Sequence, residues 1–257
     1  MNFNERILKS EILAKNIHLL RIKSERIAMK ASPGQFVNVR CGTGLDAYLR
    51  RPVSICRVDS EENTFDMVFM NRGKGTNLLC GLYCDDVIDV MGPLGNGFTL
   101  PGKNEHIAVV GGGIGIFPLL YLLEKSGNAK KSAFLGFRTK KAVVLKEAFQ
   151  KACDELVIST DDGSYGIDGL ITEPFLKWLE AERPDRVYTC GPLPMMRAVA
   201  LSCMEQGIFC EVSMEQRMGC GIGACLVCAC KVKDGDDFNY AHVCKDGPVF
   251  PAERLML

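Results

Sequence analysis

Four cysteines near the end of the chain set the tightest limit on what it can fold into. Within "MEQRMGCGIGACLVCACKV", residues 214–232, Cys220 is followed after four residues by Cys225 and after two more by Cys228; Cys244 comes fifteen residues later. Three thiols on one short loop and a fourth from a separate segment fit the ligand set of a [2Fe–2S] cluster. Such a loop must curl so that its amides face the cluster, and Gly219, Gly221 and Gly223 permit the positive φ this needs. Structural zinc prefers two close pairs of ligands, and here only one pair is close, so a zinc-stabilised binding module stands as the alternative. Cys230, two positions beyond Cys228, reads as a small core residue.

The remaining composition excludes several classes. Thirty-one basic and thirty-one acidic residues cancel without a sustained basic run, so no nucleic-acid partner is expected. The N-terminal "MNFNERILKS" is polar and unlike a signal peptide, and an odd total of thirteen cysteines does not suggest a disulfide framework. The longest uncharged stretch, Ile107–Leu123, is broken by four glycines and a proline and reads as strand, loop and helix, with no membrane contact. A cytoplasmic location is expected. Cys41, Cys56, Cys80, Cys84, Cys153, Cys203 and Cys210 read as core or neutral, and His18, His106 and His242 show no catalytic arrangement.

Three zones differ in texture. Residues 1–102 hold short strand-like runs ("IHLLRIKS", "GQFVNVRC", "PVSICRV", "FDMVFMN"), with a hairpin turn at Asp59–Asn63 and a closing turn at "MGPLGNGF"; they predict an antiparallel β-barrel. Residues 103–212 alternate strand and helix from "HIAVVGG" to "IFCEVSM", the rhythm of a doubly wound parallel α/β sheet. Residues 213–257 carry the cysteines and little else, a small iron–sulfur domain.

Each of the first two zones offers anion-binding motifs. In "LRRPVSIC", Arg51 has a fork that matches phosphate oxygens, Pro52 fixes chain direction, and Ser54 could reach the redox edge of a flavin; an exposed Arg-Pro turn is the plainer reading. In "VFMNRGKGTNLL", Gly73 and Gly75 form a loop that Thr76 could cap, after a strand ending in Phe69 and Met70. In "VVGGGIGIFPLL", Gly111, Gly113 and Gly115 let a backbone approach a diphosphate at a helix start, although Ile116 and Pro118 depart from the full dinucleotide fingerprint. Cys190 and Gly191 fall at the end of a late strand, where a nicotinamide could meet the thiol or the thiol could simply pack. Arg138, Lys140 and Lys141 could favour a 2′-phosphate or form an exposed basic turn.

In this order, R-P-x-S and G-x-G-T in a barrel followed by a Gly-rich loop and C-G-P, the motifs resemble those of the ferredoxin reductase-like flavoproteins. The segments "SMEQRMGCGIGACLVCACKV" and "HVCKDGPVF" are similar to the electron transfer subunits of dihydroorotate dehydrogenase B, a resemblance that runs the length of the chain. It implies FAD, one [2Fe–2S] cluster and NAD, and a partner: an FMN-containing catalytic subunit, two copies of each, that oxidises dihydroorotate in pyrimidine biosynthesis. Carried onto this sequence, it implies FAD contacts from Arg51, Pro52, Val53 and Ser54, from Val68, Phe69 and Met70, and from Gly75 and Thr76. It also implies Cys220, Cys225, Cys228 and Cys244 as cluster ligands. Met70 stands where some relatives are expected to carry a basic residue, which favours a backbone or apolar contact there. The choice of NAD over NADP rests on the resemblance.

A nicotinamide moves electrons in pairs and a cluster moves them singly, so a flavin must stand between them. The three zones leave no room for dihydroorotate chemistry; a TIM barrel alone would take about 250 more residues. Alone, the chain is expected to act as an NADH:acceptor diaphorase. The rival within the same fold is an NAD(P)H-linked iron–sulfur flavoprotein subunit serving ferredoxin or sulfur reduction.

Overall fold

The computed structural model describes residues 4–42, 44 and 46–257. Six strands, β1 (Asn4–Ala14), β2 (Ile17–Lys23), β3 (Phe36–Val39), β4 (Arg51–Asp59), β5 (Thr64–Met70) and β6 (Val87–Leu94), close into a barrel in the order β1-β2-β5-β4-β3-β6. Alternate residues such as Ile22, Val37, Ile55, Met67 and Val90 fill its interior. Two short helices, α1 (Glu25–Lys30) and α2 (Lys74–Cys80), cover its ends. The Ser24 hydroxyl caps α1 by accepting the Ile27 amide at 3.3 Å.

Two features of the barrel differ from the sequence reading. The polar N-terminus is a full strand, β1, in which only Ile7 is buried, so it lacks the apolar alternation that marks a strand. "MGPLGNGF" is also not all turn. Met91–Leu94 completes β6 and pairs with β3, and the chain turns only at Gly95, φ +74°.

The second layer alternates β7 (His106–Gly112), α3 (Ile116–Lys125), β8 (Lys130–Phe137), α4 (Lys146–Ala152), β9 (Glu155–Thr160), β10 (Ile167–Asp168), α5 (Thr172–Glu182), β11 (Arg186–Cys190), α6 (Leu193–Glu205) and β12 (Phe209–Ser213). The sheet order β10-β9-β8-β7-β11-β12 reverses direction between β7 and β11, which makes the carboxyl ends of those two strands the switch point. Helix α3 is buried without a break from Ile116 to Leu123, because the sheet lies on one side of it and the barrel on the other. The Tyr121 hydroxyl donates to the Ala31 carbonyl at 2.9 Å, and Glu124 pairs with Arg57 of β4.

The cysteine zone holds more than expected. A hairpin of β13 (Ala229–Asp234) and β14 (Asp237–His242) follows the loop, and β15 (Val249–Pro251) joins the central sheet antiparallel to β12. The doubly wound sheet thus carries one antiparallel edge supplied from the third zone. Among the described residues no helix is long and apolar enough to cross a membrane.

Candidate functional site

Strands β4 and β5 pair from Asp59–Thr64 up to Ile55–Met67. One step further the register would set Ser54 against Val68 and Pro52 against Met70, but there the two strands stop pairing. Among the described residues, Arg51–Ser54 pairs only with β3 and Val68–Met70 only with β2. The two segments singled out for a flavin are therefore the facing, unpaired ends of neighbouring strands. Backbone groups left out of a ladder need another partner, and a flat ligand can supply one. The Val68 and Phe69 side chains are 3% and 4% exposed and belong to different cores, so this wall offers backbone and Met70.

The Arg51 guanidinium lies over Gly75, where a Cβ would come within 2.9 Å of Nε. Among the described residues Arg51 has no carboxylate partner; its Nη1 donates to the Leu49 carbonyl at 2.5 Å. Thr76 Oγ1 accepts the amides of Arg72 at 2.9 Å and Gly73 at 3.1 Å, which ties the glycine loop to the first turn of α2. A guanidinium resting on a side-chain-free turn fits a phosphate group of a bound dinucleotide.

At the switch point each glycine has its own task. A Cβ on Gly111 would press on Ile116 and Leu119 of α3 at 3.0 Å, so this glycine allows close helix packing. Gly113, at φ +56°, makes the turn and faces open space. A Cβ on Gly115 would sit 2.3 Å from the Cys190 carbonyl oxygen, and one on Gly191 would sit 2.8 Å from the Gly112 nitrogen. The loop after β7 and the end of β11 are thus pressed together, leaving a cradle at the start of α3 that suits a diphosphate. Arg138, Lys140 and Lys141 are exposed beyond β8, where the Ser164 hydroxyl accepts the Lys140 amide at 2.7 Å.

Between these sites lies a cavity of about 460 Å³ whose wall comes from all three zones. Pro52 and Ser54 enter it from β4, Cys190 from β11, and Met214–Met218 from the segment that leads into the cluster loop. Ser54 and Cys190, far apart in the sequence, meet here. Burial, then the nearby Glu215 charge, push the Cys190 thiol up to about 12 against an opposing hydrogen bond with Ser213. It therefore presents a neutral S–H. Sequence reasoning gave no role to Glu215, Gln216 or Arg217, although they directly precede the cluster glycines; that adjacency was the one available signal.

The cysteine loop is built as a sulfur-facing nest. The Ile222, Ala224 and Cys225 amides donate to Cys220 Sγ at 3.4, 3.2 and 3.4 Å. The Cys220 amide donates to Cys225 Sγ at 3.3 Å, Gly223 to Cys244 Sγ at 3.1 Å, and Cys244 to Cys228 Sγ at 3.4 Å. Each of the four sulfurs thus accepts at least one backbone donor. Gly221 and Gly223 take φ +75° and +83°, as the curl requires. Burial raises the Cys220 thiol, but the Ile222, Cys225 and Ala224 amides and the Cys225 thiol bring it down to about 6. Burial, then the hydrogen bond to Cys228, push Cys244 up to about 12. Among the described residues no three His, Cys, Asp or Glu side chains converge as they would on one ion. Amides aimed at several cysteine sulfurs suit an anionic cluster, whose potential such donors tune. Cys230 is buried on β13 among apolar neighbours, as a packing residue should be.

A flavin-type slot meeting the end of β11, beside a dinucleotide loop, across one cavity defines an oxidoreductase, and the thiol loop next to it makes the class that of iron–sulfur flavoproteins. Residues 5–98 match the oxidoreductase FAD-binding domain family, and residues 215–256 match the iron–sulfur cluster binding domain of dihydroorotate dehydrogenase B. The chain is 38% identical over 256 residues to the dihydroorotate dehydrogenase B (NAD(+)) electron transfer subunit of Desulforamulus reducens, covering 99% of this chain and 98% of that one. It is 41% identical over 251 residues to the subunit of the same name from Fusobacterium nucleatum, covering 95% and 94%. The chain belongs to the family of dihydroorotate dehydrogenase B electron transfer subunits. Among solved structures, an NADH-dependent reduced ferredoxin–NADP oxidoreductase matches with a TM-score of 0.85 at 31% identity, over 97% of this chain and 88% of that one. A Neisseria gonorrhoeae ferredoxin NADP+ reductase with bound FAD and NADP shares the fold at a TM-score of 0.66 and 18% identity, over 80% and 91%.

Proposed function

We propose that this chain relays electrons from the FMN of a dihydroorotate-oxidising partner subunit to NAD+, and that two copies of each subunit assemble. FAD, when bound, supplies the exchange between single and paired electron transfer that neither the cluster nor the nicotinamide can make alone. One observation carries the reading: the central cavity takes walls from the barrel, from the end of β11 and from the segment that becomes the cluster loop. Arg51, Gly75 and the unpaired ends of β4 and β5 hold the dinucleotide of FAD. Gly111, Gly113 and Gly115 hold that of NAD, with Cys190 and Gly191 at the nicotinamide end. Residues 1–102, 103–212 and 213–257 are the FAD, NAD and cluster domains, the last lending β15 to the second.

The partner docks on the cluster loop. Ile222, Leu226 and Val227 are 57%, 58% and 59% exposed around the exposed ligand Cys225, and Leu226 is held at φ +59°. Three large apolar side chains kept in water beside a redox group suit a surface that is covered in the complex. NAD in place of NADP follows the name that the relatives share, and thiolate chemistry suits a reducing cytoplasm.

The test is Cys225→Ser in the complex with the catalytic subunit. Dihydroorotate-dependent NAD+ reduction should disappear while NADH-to-dye activity through FAD persists; NAD+ reduction at the normal rate would overturn the relay. The structural likeness to a ferredoxin–NADP oxidoreductase favours, as a second reading, a subunit that serves ferredoxin. Failure to co-purify with an FMN protein, together with NADH-dependent ferredoxin reduction, would select it.

A further inference from the structure

Asn38 sits in the middle of β3 with no exposed surface, opposite Pro52 of β4 on one side and Met91 of β6 on the other. Pro52 and its neighbour Ser54 line the central cavity. From there the Asn38 side chain leaves the barrel, and its Nδ2 donates at 3.2 Å to the carbonyl of Cys220, the first cluster ligand. The next residue, Gly221, lies so close that a Cβ would come within 2.5 Å of Asn38 Nδ2. Turning the amide over would set its oxygen against the Cys220 carbonyl, two acceptors face to face, so the orientation is determined. Among the described residues it leaves Asn38 Oδ1 buried with no hydrogen-bond partner. The nitrogen is the atom that ties this strand to the Cys220 carbonyl.

The other half of the cluster cage also rests on the barrel. Asn96 Nδ2, just beyond β6, donates at 3.1 Å to the carbonyls of both Lys245 and Asp246, immediately after the ligand Cys244. The Asn96 amide donates to the Gly247 carbonyl at 2.5 Å. Both ligand segments are thus registered against the flavin barrel, the Cys220 side through one buried amide.

We infer that Asn38 is a positioning residue for electron transfer: it fixes the Cys220 end of the cluster loop against the strand pair that lines the flavin cavity. This rests on the relay reading above. Asn38 supplies neither a ligand nor a proton. It sets the place and the electrostatic surroundings of a ligand, and outer-shell contacts of this kind change metal-site properties by about 10- to 100-fold when removed.

The experiment uses the full chain carrying FAD and cluster, in wild-type, Asn38→Leu and Gly221→Ala forms. The first variant removes the donor and keeps the branching of the side chain; the second pushes a methyl group into the same contact and leaves Asn38 in place. NADH is mixed in by stopped flow. Each hydride delivered reduces the flavin by two electrons, of which one passes to the cluster and turns one ferric ion ferrous. Flavin bleaching reads the first step, and the electron paramagnetic resonance signal of freeze-quenched samples reads the second. Both variants should keep the NADH-to-flavin rate within about twofold and slow the flavin-to-cluster step about tenfold or more. They should also shift the cluster's resonance spectrum or midpoint potential, which a loss of stability alone would not do. If either variant keeps both the wild-type spectrum and the wild-type second step, the inference fails. If Asn38→Leu does not fold, Asn38→Ala, which removes the same donor without added bulk, decides by the same criteria. Wild-type protein that takes up neither FAD nor iron and sulfide would instead sink the relay reading itself.

Discussion

In the cluster loop, three of the four proposed ligands fall within residues 220–228, and most of the amides facing their sulfurs belong to the same short run. The central cavity has no such stretch: Ser54, Cys190 and Met218 reach it from a barrel strand, a sheet strand and a linker. A site written in one loop depends on local backbone geometry. A site assembled from distant elements depends on every close approach that brings them together, and so it is broken from further away.

The largest expected effect tests that asymmetry. In Gly115→Val the new side chain begins 2.3 Å from the Cys190 carbonyl. It should force β7 and β11 apart at their ends and cut NADH-driven flavin reduction by about 100-fold or more, because a shift of about 1 Å at a reacting pair can cost that much. Iron and sulfide content should stay near normal; their loss in parallel would erase the contrast between the two regions. Arg51→Ala comes next. Removing one charged hydrogen-bonding group costs about 1.5–3 kcal/mol, or roughly 10- to 150-fold in FAD affinity by fluorescence titration, again without loss of iron. Arg51→Lys should fall between, since it keeps the charge and loses the fork.

A change inside the loop should do the converse. The atoms nearest the new methyl of Gly223→Ala belong to the Lys245 side chain, 2.7 Å away at Cδ, but the residue must hold φ +83°. The strain, about 1–2 kcal/mol, should speed bleaching of the cluster by a chelator several-fold and leave NADH-to-dye activity alone. Cys190→Ala sharpens the cavity's side. With the thiol raised to about 12 by burial, it does not ionise between about pH 6 and 9. The variant should change the hydride-transfer rate only a few-fold and leave its pH profile unaltered. A new inflection, or the loss of an old one, would show that the thiol ionises.

The smallest effect concerns Glu211, which is buried on β12 and accepts the Thr99 amide and hydroxyl, both at 2.9 Å, across the join between barrel and sheet. Burial raises its pKa above the ordinary carboxylate value. The folded state then holds the proton more tightly than the unfolded one. Glu211's contribution to stability is therefore greatest below about pH 4.5 and shrinks as pH rises through its folded value. Denaturant unfolding of wild type and Glu211→Gln across that range should show their difference moving in this direction and no other.

Much of this was legible in advance. Strands β7, β8, β9, β11 and β12 read clearly because an enclosed parallel sheet makes near-continuous apolar runs, and the thiol spacing is a local pattern that survives any fold around it. Strand β1 was hidden by its polarity, and β15 by lying in a segment that otherwise reads as loop. The motifs at Arg51–Ser54 and Val68–Met70 could be marked. That they face each other where two strands stop pairing could not, because register belongs to a pair of strands and neither sequence alone contains it.

By itself, the sequence determined the chemistry available: four thiols at cluster spacing, two glycine loops leading into helices, and an arginine and a serine at the start of one strand. Tertiary structure alone decided that Ser54, Cys190 and the segment leading into the thiol loop meet around one cavity, that the third zone closes the second zone's sheet, and that a buried asparagine of the barrel reaches the carbonyl of Cys220. The physical reason is range. Backbone curvature and ligand spacing are settled over a few residues, whereas a shared cavity exists only once α3 is packed between the barrel and the sheet.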